Sequence, residues 1–599
     1  MIGLKAALGE SEYSYNIFFC TFAYVKHAKE EVKQLTAILL SVLFSVFLSA
    51  QNTKEENKVR ETLKHRGEAM ILVHATQDDM NHLGQVVSID AKKGDQWLCY
   101  VNEKEFGKFL TLNLPYQAYI EDNQSKAITM ANTVSQMSSW NRYPTYEVYD
   151  SMMRGFAATY PNLCKLDTIG TTTRGRLLLC LKLSSNVNQT QDKPKFFYSS
   201  SMHGEELTGA IMLLRLADYM LSNYGSDARI TDIIEGIELY ICPFANPDGT
   251  YAGGNGTVLH ATRSNGNYVD LNRNYPSPLR GDHPDGYGWQ AETVAFMNYA
   301  RAKEFDINVN LHSGAEICNY PFDDYLPSGR KSHADDQWFV EMCQRFMDTL
   351  WSNAPADYFT HLRSCGYVLG YDWFVSPGSR QDYHTYFLRQ REITLEVDTI
   401  KMRSSSDLPM FWGRLHSALL CFVEECFSGA SGVVKDSLTG EILDNVHIYI
   451  SDHDRDSSHV YSKSNGYFFR PLHGGQYSLI FQKQGYATKT LNFNVQQNNL
   501  TPLDVLLVSE FGLEEIAEQE DNLVIYPNPS SSQINVMVQE KGTFFIANLT
   551  GKRVIEGTLL QGNNLIQVGD DLKNGYFYFV FTQGSDGKKI TRPLIILNK

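Results

Sequence analysis

The feature that most constrains this chain is a set of polar residues that must meet at one point although they are scattered along the sequence. They are His203-Gly204-Glu205-Glu206, Asn272-Arg273-Asn274-Tyr275, His312-Ser313-Gly314, and Glu396 within Thr394-Leu395-Glu396-Val397. A hydrolytic metal site needs three nitrogen or oxygen ligands and one open position. His203, Glu206 and His312 supply such a set; Glu396 is then left as a general base, and Arg273 can hold a carboxylate. His203 and Glu206 stand three apart where a predicted strand meets a predicted helix, a spacing that turns both side chains to one face. A lone His-x-x-Glu pair carries little weight, because such pairs are common on surfaces; followed in order by Asn272-Arg273, His312 and Glu396, it points to a metal centre. A fold that gathers these residues must converge several strand ends. The hydrophobic pattern offers them: a strand over 196–199 leads into His203, a helix follows over 207–221, and apolar strands cover 237–242, 307–311 and 393–397. This alternation predicts an α/β sheet covered by helices, in which ligands gather at strand ends.

With 599 residues the chain is too long for one core, and a prior of roughly 150 residues per domain suggests about four units. A net charge of -15 with no polybasic face argues against a nucleic-acid partner. The ten cysteines lack CxxC pairs, so neither a structural zinc site nor a disulfide-dense scaffold is indicated. Without Cys20 nine remain, which leaves at least one thiol free or intermolecular. Residues 35–49 (LTAILLSVLFSVFLS) form an apolar run after Lys33, read as a secretory signal peptide within a leader over 1–50. The run is short of the roughly 20 apolar residues of a stable membrane span. Translation is expected to start near Val32.

Around the central unit (140–427) lie three others. Residues 55–122 alternate strand, helix, strand, strand, helix, strand, which predicts a small ferredoxin-like α+β unit; a polar linker over 121–139 follows. Residues 429–508 carry short strands separated by Gly and Asp turns, the pattern of a β-sandwich. After an acidic linker (514–521), residues 523–599 form a second small β-sandwich. The chain is thus expected to be multidomain, an α/β catalytic domain with an N-terminal α+β unit and two C-terminal β-sandwiches.

From about Trp140 to Cys426, the order and local wording of the motifs resemble the zinc metallocarboxypeptidases, in particular the branch with carboxypeptidases D, E, M and N. The resemblance implies hydrolysis of the C-terminal peptide bond of peptides and proteins with one Zn2+ per catalytic domain. It gives Glu396 the role of base and Arg263, nine residues before Asn272, that of stabilising the oxyanion. Asn272 and Arg273 would clamp the substrate carboxylate, and Asp270 would accept a hydrogen bond from the first histidine ligand. Asp323, in Asn319-Tyr320-Pro321-Phe322-Asp323, and Gln381 resemble the pocket of basic-specific members, which implies release of C-terminal Lys or Arg; a helix cap is the structural alternative for Asp323. Precursors in this family carry a pro-segment similar to residues 55–122, so an inhibitory or folding role stands beside that of a constitutive accessory domain. Residues 429–508 resemble the transthyretin-like domain of the same branch.

Two positions depart from the pattern. Phe374, 22 residues before Glu396, replaces a substrate-contacting tyrosine and removes one hydroxyl. Glu205 stands where many relatives have Asn, adding negative potential near the metal. Val524-Ile525-Tyr526-Pro527-Asn528-Pro529 and Gly575-Tyr576-Phe577-Tyr578 resemble the C-terminal sorting domain of the type IX secretion system, which implies export through that machinery to the outer cell surface or medium. A cell-wall peptidase or amidohydrolase of the same fold, and a surface adhesin built on the β domains, remain alternatives.

Overall fold

The computed structural model describes residues 33, 53–120, 127–510, 523–549, 551–568, 572–584 and 587–597. The apolar leader run and the acidic linker lie outside these residues. The described chain divides into two compact units. One comprises the residues up to Val433 with Ile448–Leu479 and Leu491–Leu503; the other comprises Val434–His447, Ile480–Thr490 and the described residues from Asp504. Among the described residues no helix is long and apolar enough to cross a membrane.

The first unit begins with a helix over 53–66. Strand β1 (Ala69–Val73), a helix (Gln77–Leu83), β2 (Ser88–Lys93), β3 (Gln96–Val101), a helix (Glu103–Leu110) and β4 (Tyr116–Tyr119) follow. Both helices open on capping boxes, Thr76 with Asp79 and Asn102 with Glu105, which satisfy backbone donors that the first turn leaves unpaired. The strands pair antiparallel in the order β2-β3-β1-β4. Ile71, Val73, Leu83, Ile89, Cys99, Phe106 and Phe109 close the core beneath them. This is the expected β-α-β-β-α-β unit.

The large sheet holds β5 (Cys164–Thr171), β6 (Leu177–Leu183), β7 (Lys195–Ser200), β8 (Glu238–Cys242), β9 (Ile307–His312), β10 (Ala315–Tyr320), β11 (Tyr367–Leu369) and β12 (Arg391–Asp398). Their order is β11-β10-β12-β9-β7-β8-β6-β5. The central strands β12, β9, β7 and β8 run parallel, whereas β10 and β6 run antiparallel to their inner neighbours. Parallel strands need both faces covered. Helices Thr208–Asn223, Asp336–Trp351 and Leu408–Glu424 bury Ile211, Leu214, Phe346, Leu415 and Phe422 in the same core as Phe196, Val309 and Leu395. Because β7, β9 and β12 point the same way, the residues at their C-terminal ends share one edge of the sheet.

Within this unit a buried ion-pair network surrounds Asp335. Its carboxylate accepts hydrogen bonds from Arg391 Nη2 at 2.8 Å and from Arg470 Nη1 and Nη2 at 2.6 and 2.8 Å. Burial opposes the Asp335 charge, but Arg470 and Arg391 outweigh it and hold the carboxyl far below its usual range.

Farther along, one three-stranded sheet (Gly429–Asp436, Tyr467–Pro471, Leu500–Leu507) and one four-stranded sheet (His447–Ile450, Val460–Tyr461, Gly475–Gln482, Lys489–Val495) form the first β region. Strand Lys489–Val495 adds to the sequence expectation; its alternation of partly buried and exposed residues marks a half-covered edge. The last region pairs a sheet of Leu523–Tyr526, Gln533–Val538 and Gly562–Gln567 with one of Gly542–Asn548, Arg553–Leu559, Gly575–Gln583 and Lys589–Ile596. Ile534, Val536, Ile546, Phe579, Phe581 and Leu594 fill the space between them. All nine described cysteines are free thiols, more than the single unpaired one that an odd number requires.

Candidate active site

Three strand ends deliver the polar set. His203 lies in the turn that follows β7, His312 is the last residue of β9, and Glu396 faces it directly across the parallel β9–β12 ladder. His203 and Glu206 lie at the expected junction of strand and helix. They occupy a turn before Thr208–Asn223, in which Glu206 N donates to His203 O at 3.1 Å. Gly204 lets this turn pass close to its neighbours: a Cβ there would fall 2.2 Å from the Gly249 carbonyl carbon.

The donor atoms converge. His203 Nδ1 is 2.9 Å from Glu206 Oε1, His312 Nδ1 is 2.9 Å from Glu206 Oε2, and the two Nδ1 atoms are 3.1 Å apart. Ligand atoms about 2.0 to 2.2 Å from a tetrahedral zinc are separated by little more than this, so the trio fits that ion. The outer nitrogen of His203 lies 3.1 Å from Asp270 Oδ1, which directs Nδ1 inward. His312 Nε2 faces the Asn310 amide at 2.6 Å. Asp335, His453 and Asp454 form a second cluster of potential ligand atoms. The Asp335 carboxylate is already taken by two arginines, so this cluster does not suit a cation.

Glu396 is no ligand of the trio. Its Oε2 is shut off from solvent without a hydrogen-bond partner, and burial, then the charges of Glu206 and Asp90, push the carboxyl well up against Lys401 and Arg263. A lone carboxylate oxygen so placed is suited to accept a proton. Asp270 also accepts from Arg263 Nε at 2.9 Å and holds Asn272 N at 2.8 Å, setting the short turn Leu271–Arg273. Arg263 Nη1 lies 3.6 Å from Glu206 Oε1, beside the metal trio.

Arg273, Asn272, Asp323 and Phe374 line the same cavity as His203, Glu206, His312 and Glu396. Asp323 is buried in a loop rather than capping a helix, and Asn319 Nδ2 and Gln381 Nε2 donate to its Oδ1 at 2.9 and 3.0 Å. Burial pushes its carboxyl up to about 6, although Ser379 and Asn319 bond to it and Arg273 lies near. Asp382, unforeseen from the sequence, accepts the backbone N–H groups of Asp323 and Asp324 at 2.8 and 3.1 Å and so fixes the loop. Phe374 turns one side toward the cavity and packs the other against the core of the N-terminal α+β unit.

Glu205 does not leave an open charge near the metal. Its Oε1 accepts from Lys401 Nζ at 2.9 Å and from the Tyr100 hydroxyl.

The N-terminal unit also reaches the site. Asp90 Oδ1 is 3.1 Å from Arg263 Nη1, Ser88 Oγ donates to Asp270 at 2.6 Å, and Ile89 O accepts from Arg273 Nη2 at 3.4 Å. Glu68 accepts the backbone N–H groups of Arg263 and Ser264 at 2.9 and 3.0 Å. Ile89 and Asp90 thus form part of the wall of the cavity that His203, Glu206, His312 and Glu396 line.

Comparison with known proteins gives the following similarities. Residues 149–414 match the family model described as zinc carboxypeptidase, residues 429–508 a carboxypeptidase regulatory-like domain, and residues 524–597 a secretion system C-terminal sorting domain. Carboxypeptidase D of Homo sapiens is 30% identical over 61% of this chain and 27% of its own length; the chain therefore spans about a quarter of that relative. Carboxypeptidase M of Mus musculus is 30% identical over 52% of this chain and 71% of its own. Among solved structures, thrombin activatable fibrinolysis inhibitor aligns with a TM-score of 0.44 at 16% identity, covering 60% of this chain and 98% of that one. With His203, Glu206, His312 and Glu396 gathered at one sheet edge and a carboxypeptidase matched over most of its length, the chain belongs to the zinc carboxypeptidase family.

Proposed function

We propose that this protein is an exported zinc carboxypeptidase that releases C-terminal Lys or Arg from peptides and proteins, and that it is made with its site covered by the N-terminal α+β unit. The observation that carries the reading is the shared cavity. Arg273, a clamp for a terminal carboxylate, and Asp323, a buried anion for a basic side chain, line the same space as the metal trio and Glu396.

His203, Glu206 and His312 would hold one zinc ion, which would supply Lewis acidity at this point of the cavity. Asn272 and Arg273 hold the substrate carboxylate, which restricts cleavage to the last peptide bond. Glu396 Oε2 accepts the proton of the attacking water and passes it to the leaving amine. Arg263 stabilises the oxygen that becomes negative as the carbonyl carbon turns tetrahedral. Asp323, held by Asn319, Gln381 and the Asp382-bound loop, pairs with the leaving Lys or Arg side chain.

Ile89 and Asp90 occupy the approaches to Arg273 and Arg263, which supports a precursor role for residues 55–122. The sorting-domain match supports type IX export to the cell surface or medium. The test is a panel of peptides that differ only in the last residue, incubated with the exported protein with and without a zinc chelator and followed by mass. Chelator-sensitive loss of one terminal Lys or Arg is expected. Internal cleavage, or turnover confined to cell-wall muropeptides, would overturn the reading.

A further inference from the structure

Lys401 is absent from every motif discussed so far, and its surroundings set it apart from an ordinary buried lysine. It follows β12 five residues beyond Glu396, and its carbonyl accepts Leu207 N at 3.0 Å, which ties it to the turn bearing the metal ligands. Its Nζ lies 2.5 Å from Asp90 Oδ1, 2.9 Å from Glu205 Oε1, 3.2 Å from Tyr100 Oη and 3.6 Å from Glu206 Oε1. Arg263 Nη1 reaches the same Asp90 Oδ1 at 3.1 Å and the same Glu206 Oε1 at 3.6 Å. Two cations thus converge on one anionic oxygen beside the metal trio, with the Tyr100 ring beneath both.

Both Asp90 and Tyr100 belong to the N-terminal unit. Without that unit, Lys401 would keep Glu205 and Glu206 and lose Asp90 and Tyr100, and the position of Asp90 Oδ1 would open toward the cavity that Asp90 walls. Gly314, at φ +137°, keeps this approach clear: its nearest neighbours are Lys401 Cε at 3.4 Å and the Asp90 carboxylate at 3.7 Å from where a Cβ would stand.

We propose that Lys401 is a catalytic residue that, together with Arg263, binds the oxygen that becomes negative during hydrolysis, and that Asp90 occupies this oxygen's place in the covered chain. The proposal rests on the carboxypeptidase reading above. Glu205 acts as a positioning residue, holding the ammonium toward the oxygen and away from Glu206. The extra carboxylate at position 205 therefore serves the cation rather than the metal.

The test uses the exported enzyme as recovered from the medium, comparing wild type with Lys401→Met, Lys401→Arg and Glu205→Gln. Readouts are zinc content, kcat and KM on Arg-ended peptides, and affinity for a peptide phosphonate, whose charged oxygens resemble the tetrahedral state, against that for free arginine. Loss of one such electrostatic donor lowers kcat by about a hundredfold or more in other hydrolases. Lys401→Met is expected to lose about that in kcat and in phosphonate affinity, with KM, arginine binding and zinc content unchanged, and Lys401→Arg to recover part of it. Unchanged phosphonate affinity in Lys401→Met would overturn the proposal. So would a defect confined to peptides with an acidic penultimate residue, which would make Lys401 a side-chain subsite. A wild-type enzyme that releases no terminal residue would instead refute the carboxypeptidase reading, a result independent of the phosphonate comparison.

Discussion

Replacing Asp323 by Asn keeps the volume of the side chain and removes its charge. In the structure the carboxylate is buried, held by Asn319 and Gln381 at 2.9 and 3.0 Å, and faces the cavity that Arg273 shares. A hydrogen bond to a charged group contributes about 1.5 to 3 kcal/mol, so kcat/KM for peptides ending in Lys or Arg should fall about tenfold to a hundredfold, while peptides ending in Leu or Phe change little. The pH dependence supplies a second reading of the same contact. Burial pushes the Asp323 carboxyl up to about 6, so the free enzyme carries the charge above that pH and loses it below. The ratio of basic to apolar kcat/KM should therefore be flat near pH 8, halve near pH 6 and fall about tenfold by pH 5, each pH unit being worth about 1.4 kcal/mol. Taking the ratio cancels titration of Glu396 and of the metal ligands, which serve both substrates. The Asn variant should show a low, pH-independent ratio. A wild-type ratio that stays constant from pH 5 to 8, or an unchanged ratio in the variant, would refute the assignment of Asp323 to the specificity pocket.

Glu396→Gln should keep its zinc, measured by metal analysis of the purified protein, and lose turnover; His312→Ala should lose both, because two ligands remain. Asp335→Ala leaves Arg391 and Arg470 buried without their shared carboxylate, so the chain should lose about 3 to 5 kcal/mol in denaturant unfolding. Since the folded-state pKa of Asp335 is depressed, its stabilisation is fully present above the unfolded pKa of about 3.9 and is lost as the pH falls below it; equal acid sensitivity of variant and wild type would contradict this. Proteolytic cleavage in the polar linker after the N-terminal unit should raise activity on Arg-ended peptides, whereas an uncleaved chain of equal activity would show that Ile89 and Asp90 do not obstruct the site. Deleting residues 523–599 should leave an active enzyme retained in the cell envelope, detected by fractionation.

The alternation of strands and helices over 55–122 and the buried strands before His203, His312 and Glu396 were legible because local rules create them: apolar runs mark covered strands. That His203, Glu206, His312 and Glu396 belong to one site was legible from residue type and order, and the structure brings them to one cavity. The junction that carries His203 and Glu206 was legible as the place where the strand over 196–199 gives way to a helix, whereas the turn that aims the two side chains was not.

What the linear order could not reveal is which distant side chains share one point. Asp90 and Lys401 are 311 residues apart and have no motif of their own, yet an oxygen of one lies 2.5 Å from the nitrogen of the other. Asp382 likewise gains its role only where it meets the loop bearing Asp323. Residue chemistry and local pattern thus pointed to the residues His203, Glu206, His312, Glu396 and Arg273 that meet in one cavity. Only tertiary packing decided which charges stand beside them and that Ile89 and Asp90 of the N-terminal unit line the same cavity, because electrostatic contacts depend on separation in space, which sequence separation does not encode.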